Sequence, residues 1–521
     1  MASDQDEKAK TEAAIAAVEV LSGLAFDQAH REAIRDRVEV GSRHIETLRE
    51  VDVGYDLEPP TVFLPGTSTP SDREQKAFAL APAGSVEPPG SDEDLAFLPL
   101  TTLARLIESR AISPVELTRL YLDRLSTLGP ELHCLVTLTD DLALRQAKAA
   151  EAEIGKGHYR GPLHGISWGA KDLLATREIP TTWGATSFKD RMIDRDATVV
   201  TRLQEAGAVL IGKLSLGTLA QGPHWFGGMT RTPWDVEKGS SGSSAGPGAA
   251  TAAGLVGFSI GSETHGSIVS PSQQCGVVGL RPTYGRVSRY GAMALSWTMD
   301  KLGPMCRGVE DCGAVLAAII GPDGKDRSVR EAPFHWVPDR NVAALRVGYL
   351  VEEFEAVEGE DSKSVDREAL DVFASLGMKP EPVVLPNYRA DAIRIILQVE
   401  AATAFDDLTR SGEIDVLSEH DNSNWPDTFR AARMISAVDY LRAQRVRTLL
   451  MQEMENLMAD WDILLAPGTG NESLTVTNLT GHPALLQPCG FVAGLPRGLT
   501  LIGKLYEEAT ILAVARAYEQ A

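Results

Sequence analysis

The chain has 521 residues, 43% of them hydrophobic, and a formal charge of −22. That apolar share is enough for a large buried core and too much for a disordered chain. The acidic excess leaves no basic field for phosphate backbones or anionic lipid, so nucleic acid and membrane surfaces are excluded as partners. The apolar run Ala314 to Ile320 is far short of the roughly 18 residues a spanning helix needs. The N-terminal apolar stretch is interrupted by Glu12 and Glu19, unlike a secretory leader, and the chain reads as unprocessed and cytoplasmic. Five scattered cysteines with no C-x-x-C, and histidines with no H-E-x-x-H, point to neither a disulfide framework nor a metal site.

In chain order, apolar spacing predicts helices over Thr11 to Ala25 and Asp27 to Asp52, a helical appendage within residues 1–58. Residues 59–94 carry Pro59, Pro60, Pro65, Pro70, Pro82, Pro88 and Pro89, a density that prohibits long regular structure and reads as a linker or a surface strap. Residues 1 to 100 hold 20 acidic and 9 basic side chains, read as a solvated face or, more sharply, a dimerisation or lid element. Helical patterns then cover Leu100 to Ile107, Ser113 to Leu128, Thr139 to Ile154 and Val199 to Ala206, with a buried strand at Ala208 to Ile211. Further on come a strand at Arg346 to Leu350, a helix at Asp366 to Leu376, a long helix at Ser436 to Ala459, a strand at Ile463 to Ala466 and a closing helix at Glu508 to Glu519. This alternation predicts one large α/β domain over residues 95–521.

The chemistry is concentrated between Lys238 and Pro271, in K-G-S-S-G-S-S-A-G-P-G-A-A-T-A-A-G-L-V-G-F-S-I-G-S-E-T-H-G-S-I-V-S-P. Small residues let backbone N–H groups converge on an anion, and the hydroxyls among them can act as nucleophiles or proton carriers, which suits acyl transfer. A phosphate loop is excluded because no Gly-Lys-Ser/Thr follows the glycines. G-x-S-x-G is matched around Ser244 and Ser259, but neither match has the strand-to-helix setting of a nucleophile elbow. The remaining reading takes a lysine as base. Lys171, at the end of Gly165-Ile-Ser-Trp-Gly-Ala-Lys, ends an apolar run where its ammonium would be desolvated.

These motifs, with D-A-T-V-V-T-R-L-Q-E-A-G-A-V-L-I-G-K, C-G-V-V-G-L-R-P-T-Y-G-R-V-S-R-Y-G and N-L-T-G-H-P-A-L-L-Q-P-C-G, closely resemble the amidase signature family over residues 95–521. The resemblance implies a central mixed β-sheet covered by helices on both faces. It also implies a Ser-Ser-Lys triad with no cofactor and no metal. Lys171 and Ser267 match the family pattern directly. The middle serine is Ser243 by register, since Ser240 would need a three-residue insertion. Backbone N–H groups of Thr264, His265, Gly266 and Ser267 are implied as the oxyanion hole. Lys213 matches a non-catalytic lysine expected to snorkel or pair.

Three departures shape the expected substrate. His265 stands where the family usually has glycine, so the turn must accept a side chain or carry strain. Val269 replaces an arginine and cannot pair with a carboxylate, which argues against a free amino acid. Glu263 replaces an aspartate and loses that arginine as a partner, but can still hydrogen-bond the loop. Trp168, Trp225, Met229 and Trp297 are the candidate substrate-binding residues, favouring an apolar or aryl group. The leading expectation is a hydrolase of small-molecule amides, with esters and carbamates in reach, using water and acting as a homodimer. A glutamine-using A subunit of an amidotransferase and a non-catalytic scaffold are the alternatives.

Overall fold

The structure is a computed structural model that describes residues 2–52, 60, 63–66, 78–82, 84, 86–417, 423–469 and 472–521. Among these the strands run, in chain order, β1 Leu135–Leu138, β2 Ser167–Lys171, β3 Val209–Leu214, β4 His224–Trp225, β5 Gly228–Met229, β6 Arg231–Thr232 and β7 Asp235–Gly239. They continue as β8 Phe258–Glu263, β9 Val278–Arg281, β10 Lys301–Cys306, β11 Val347–Leu350 and β12 Glu381–Val383. The last three are β13 Ile463–Pro467, β14 Ala484–Val492 and β15 Leu495–Gly503.

Eleven of these form one twisted sheet in the order β1-β3-β2-β8-β10-β9-β14-β15-β13-β11-β12, flanked by helices. The links β3–β2–β8 and β13–β11–β12 are parallel, and the others are antiparallel. Strands β2, β3, β9, β10 and β13 are buried along their whole length, which is why they read as short apolar runs without alternation. The expected strand at Ala208 to Ile211 extends through Lys213 to Leu214, because the lysine finds a buried partner. The run Ala245–Ala252, for which apolar spacing gives no element, is a buried helix. Its alanines have high helix propensity, and its small side chains let it lie close against the sheet.

Two N-terminal helices, α1 Ala2–Ser22 and α2 Gln28–Glu50, precede the sheet. Asp27 caps α2, accepting from the His30 N–H at 2.8 Å. The helix presses Ile34 and Leu48 into the body, where Leu48 joins a cluster with Ile395, Leu450 and Val476. Arg442 donates to the carbonyls of Leu48 and Val51 at its C-terminal end, and Arg49 pairs with Asp439 at 3.0 Å. The proline-rich segment lies in part outside the described residues, Pro59 and Pro70 among them. Its described portions have no regular element before the short helix Asp92–Phe97. Phe63 sits edge-on to Tyr284 with Arg447 over its ring, Phe78 stacks on Phe334 and Trp336, and Ala81 is held by Glu310 and Arg105.

Candidate active site

Strand β2 ends at Lys171, whose side chain is fully buried. Its Nζ lies 2.8 Å from Ser243 Oγ, 2.9 Å from Ser244 Oγ, 2.9 Å from Ser262 Oγ and 3.3 Å from the Ser262 carbonyl. No carboxylate is within ion-pair distance of it among the described residues. Burial drives the Lys171 pKa well below its ordinary value, against the weaker pull of the Glu263 and Asp300 charges. A neutral amine has two N–H groups and one lone pair, and this surround matches that inventory. The Ser262 oxygens can accept its protons, and Ser243 O–H can donate to its lone pair. Ser244 is already committed, accepting from Ser262 N and donating to Ser262 O, both at 3.1 Å.

Ser243 follows a cis peptide bond from Gly242. A β-carbon at Gly242 would lie 2.0 Å from the Gly222 carbonyl oxygen, so only glycine lets the loop come this close to its neighbour. The Ser243 carbonyl accepts from Gly217 N at 3.3 Å, and Ser244 N donates to the Ser267 carbonyl at 3.1 Å. The last contact joins the serine-rich loop directly to the turn that carries Ser267. Ser240, the competing middle serine, turns its hydroxyl to the Ser241 carbonyl. Ser259 is buried in the sheet between Pro247 and Thr251, which removes the elbow reading at that residue.

The turn after β8 carries Thr264, His265, Gly266 and Ser267, with Ser267 only 8% exposed. Among the described residues the N–H groups of these four make no hydrogen bond, whereas those of Ile268 and Val269 are taken by Glu263 Oε2 at 2.8 and 3.1 Å. A row of unpaired donors beside a serine is the arrangement that stabilises a developing oxyanion. Gly266 takes the left-handed backbone, φ +84°, so His265 is spared it. Of the two alternatives, the turn accepts a side chain at His265, and its Nε2 rests 3.0 Å from Thr475 Oγ1. Burial and the nearby Arg394 charge lower the His265 pKa to about 4, leaving the ring neutral.

Glu263 has no arginine at position 269 to pair with, and it finds one on another strand. Arg281 on β9 donates to Glu263 Oε1 at 2.8 Å, Asn478 donates to the same oxygen at 2.9 Å, and both charged side chains are fully buried. Burial would raise the carboxyl, but Arg281 and these hydrogen bonds hold it at about 2. The ionised carboxylate can therefore fix the backbone just past Ser267. Thr264 donates to Asp300 Oδ1 at 2.6 Å, and Asp300 Oδ2 in turn accepts from the N–H groups of Leu295 and Ser296.

A cavity of about 270 Å³ opens beside the turn, bordered by Ser262, Thr264, Leu173, Met293, Leu295 and Trp297 among others. Of the four aromatic and methionine candidates, Trp297 lines this cavity. Trp168 does not. It is 1% exposed and stacks on Phe258, because successive strand residues face opposite ways and Trp168 and Lys171 lie an odd number of residues apart. Trp225 and Met229 lie on the β4–β5 hairpin, apart from this cavity's lining. The Trp225 indole N–H donates to the His133 carbonyl at 3.1 Å. Sequence reasoning missed Ser262, whose only signal was its place within Gly-Ser-Glu-Thr-His-Gly-Ser.

The mixed eleven-stranded sheet flanked by helices is the fold of a class of enzymes that cleave carboxylic amides. The chain belongs to the amidase family, whose model, described as Amidase, matches residues 116–476. It is 34% identical to the A subunit of the glutamyl-tRNA(Gln) amidotransferase of Moorella thermoacetica over 475 residues, covering 82% of this chain and 97% of that one. Identity to the protein of the same name from a Roseiflexus species is 35%, over 78% of this chain and 93% of the other. The native peptide amidase of Stenotrophomonas maltophilia superposes with a TM-score of 0.73 at 29% identity, covering 81% of this chain and 96% of that one. Family members hydrolyse C–N amide bonds. No helix among the described residues is long and apolar enough to cross a membrane.

Proposed function

We propose that this chain is a cofactor-free serine amidohydrolase acting on a largely apolar or aryl carboxylic amide, with esters and carbamates open to the same chemistry. The observation that carries this reading is the fully buried Lys171 amine with only oxygen donors and acceptors around it, 2.8 Å from Ser243. Neutral Lys171 takes the Ser243 proton as Ser243 takes that of Ser267, and the Ser267 oxygen forms a bond to the acyl carbon. The carbonyl electrons move onto oxygen, facing the N–H groups of the 264–267 turn, where each donor can contribute about 3 kcal/mol. Collapse expels the amine, which takes the proton back along the same path from Lys171 through Ser243. Water attacks the acyl-enzyme by the same relay and frees the acid. Labelling with a fluorophosphonate, followed by peptide mass mapping, tests the assignment. A label on Ser267 that disappears in Ser267→Ala supports it, and a label elsewhere overturns it.

The similarity to the A subunits of amidotransferases over nearly their whole length favours a second reading, in which the same triad releases ammonia from glutamine for a partner protein. Val269, buried beside the turn, offers no charge for a substrate carboxylate. Glutaminase activity, or copurification of a second protein that uses the ammonia, would replace the first reading with this one. The proposed homodimer would use the outer face of α1, where Val20 and Leu21 are 81% and 89% exposed. Sedimentation of Val20→Glu/Leu21→Glu at the same mass as the parent would rule that face out.

A further inference from the structure

The cavity beside the nucleophile turn has a charge balance opposite to that of the molecule. Among the described residues three cationic ones line it, Arg289, Lys325 and Arg327, and two acidic ones, Asp300 and Asp326. Both acids are committed. Asp326 binds Arg289 through Nε at 3.0 Å and through Nη2 at 3.2 Å, and it also accepts from the Arg289 backbone N–H at 2.9 Å. Asp300 accepts from Thr264, Leu295 and Ser296. Lys325 and Arg327, on either side of the anchored Asp326, are exposed, and among the described residues neither has a carboxylate within ion-pair distance.

The loop that displays these two cations is held at several points. Asp323 accepts from the N–H groups of Lys325 and Asp326 at 2.8 and 2.9 Å, and from the hydroxyls of Thr198 and Ser288. Lys325 Nζ lies 4.5 Å from the centroid of Tyr290, a ring that also borders the cavity, and Arg195 lies 5.6 Å from the same centroid. An aromatic face attracts a cation but does not neutralise it. The result is a pre-positioned excess of positive charge in a cavity whose walls also carry the apolar side chains of Leu173, Met293, Leu295, Trp297 and Leu302. In a chain of formal charge −22 the general field repels anions, so a local reversal at this cavity favours them there.

Resting on the hydrolase reading above, we propose that the substrate is an amide with an apolar or aryl body ending in an organic anion, a carboxylate or its equivalent, recognised by Lys325 and Arg327. Val269 denies a charge partner next to the nucleophile, so the anionic group sits at the far end of the substrate rather than beside the scissile bond. This separates the substrate from a free α-amino acid.

The test compares two pairs of anilides at low salt. Glutaryl anilide is set against pentanoyl anilide, with the charge on the acyl side. Para-carboxyacetanilide is set against acetanilide, with the charge on the amine side. The expected result is a kcat/KM higher for the anion than for its neutral partner in at least one pair. That ratio should fall about tenfold in Lys325→Glu/Arg327→Glu and severalfold on raising salt to about 0.5 M, where screening shortens to a few ångströms. Because the readout is a ratio within one protein, partial loss of folded enzyme leaves it unchanged. Neutral partners preferred in both pairs, or a ratio indifferent to the double variant and to salt, would overturn this inference and leave the hydrolase reading standing. No turnover of any of the four, or turnover that survives Ser267→Ala, would overturn the hydrolase reading and this one with it.

Discussion

Two neighbouring strands each carry, at or next to their last residue, a lysine with no solvent exposure, and the two lysines have opposite surroundings. Lys171 on β2 and Lys213 on β3 lie in adjacent parallel strands, with Ala170 opposite Lys213 and Lys171 opposite Leu214. Lys213 Nζ sits 2.8 Å from Asp172 Oδ1, with Thr181 Oγ1 at 2.9 Å and the Pro180 carbonyl at 3.2 Å. Lys171 has hydroxyls and a carbonyl and no carboxylate. Burial lowers the pKa of both, but Asp172 opposes the fall at Lys213 directly, while Lys171 is left well below its ordinary value. Neutralising Lys213 would strand Asp172 in the interior, so that pair stays charged and serves structure. The difference teaches that burial makes a lysine usable as a base only where no counter-charge is built beside it.

The contrast is sharpened most by activity. Lys171→Met should lower kcat by about 10⁴-fold while leaving the far-UV spectrum intact, a loss of the size seen when a member of a catalytic unit is removed. Survival of a tenth of the activity would reduce Lys171 to a second structural lysine. Glu263→Gln comes next, with an expected loss of about 10² in kcat at nearly constant KM, since the amide group cannot accept from Arg281 and from both turn N–H groups together. An effect confined to KM would mean that the carboxylate does not hold the turn.

Lys213→Met should act on stability instead, costing about 3 to 5 kcal/mol by leaving Asp172 unpaired, and Lys213→Met/Asp172→Leu should recover most of it. Denaturant unfolding measures both, and an additive double variant would break the structural half of the comparison. The pH dependence follows from the direction of the Lys171 shift. Its folded pKa lies below the unfolded value of about 10.4, so the unfolded chain binds the extra proton more readily and stability falls as pH drops from about 10.4 to the folded pKa, then levels. Lys171→Met should therefore be stabilised relative to the parent, more so at pH 6 than at pH 9, and kcat/KM of the parent should rise with pH on its acid limb. The smallest effects are expected from Ser244→Ala, a few-fold in kcat, and Thr181→Val, within about 1 kcal/mol in stability. If Thr181→Val slowed turnover more than Ser244→Ala, the assignment of hydroxyls to the two lysines would be reversed.

Much of the site was legible from residue order. Lys171 could be singled out because a lysine inside an apolar, glycine-bounded run has few uses, and the turn after β8 because glycine and serine crowd into it with little charge. Of the two serines between which the register chose, Ser243 meets the Lys171 amine and Ser240 turns to the Ser241 carbonyl. Trp168 was misjudged because closeness in sequence to Lys171 says nothing about which face of the strand it occupies. Arg281 as the partner of Glu263, and Asp300 as the partner of Thr264, were illegible because the residues come together across strands 18 and 36 positions apart. The helix Ala245–Ala252 was hidden by its glycines and proline, whose low propensity is overridden by packing under the sheet.

The sequence by itself determined the alternation of helix and strand, the apolar strands that bury the sheet and the family to which the chain belongs, because these depend on local pattern and on motif order. Only the tertiary structure decided which buried lysine goes without a counter-charge, which arginine replaces the one lost at Val269 and where the unpaired cations stand relative to the cavity. Each of those is a relation between side chains far apart in the chain, and burial and Coulomb energy are set by distances that residue order does not contain.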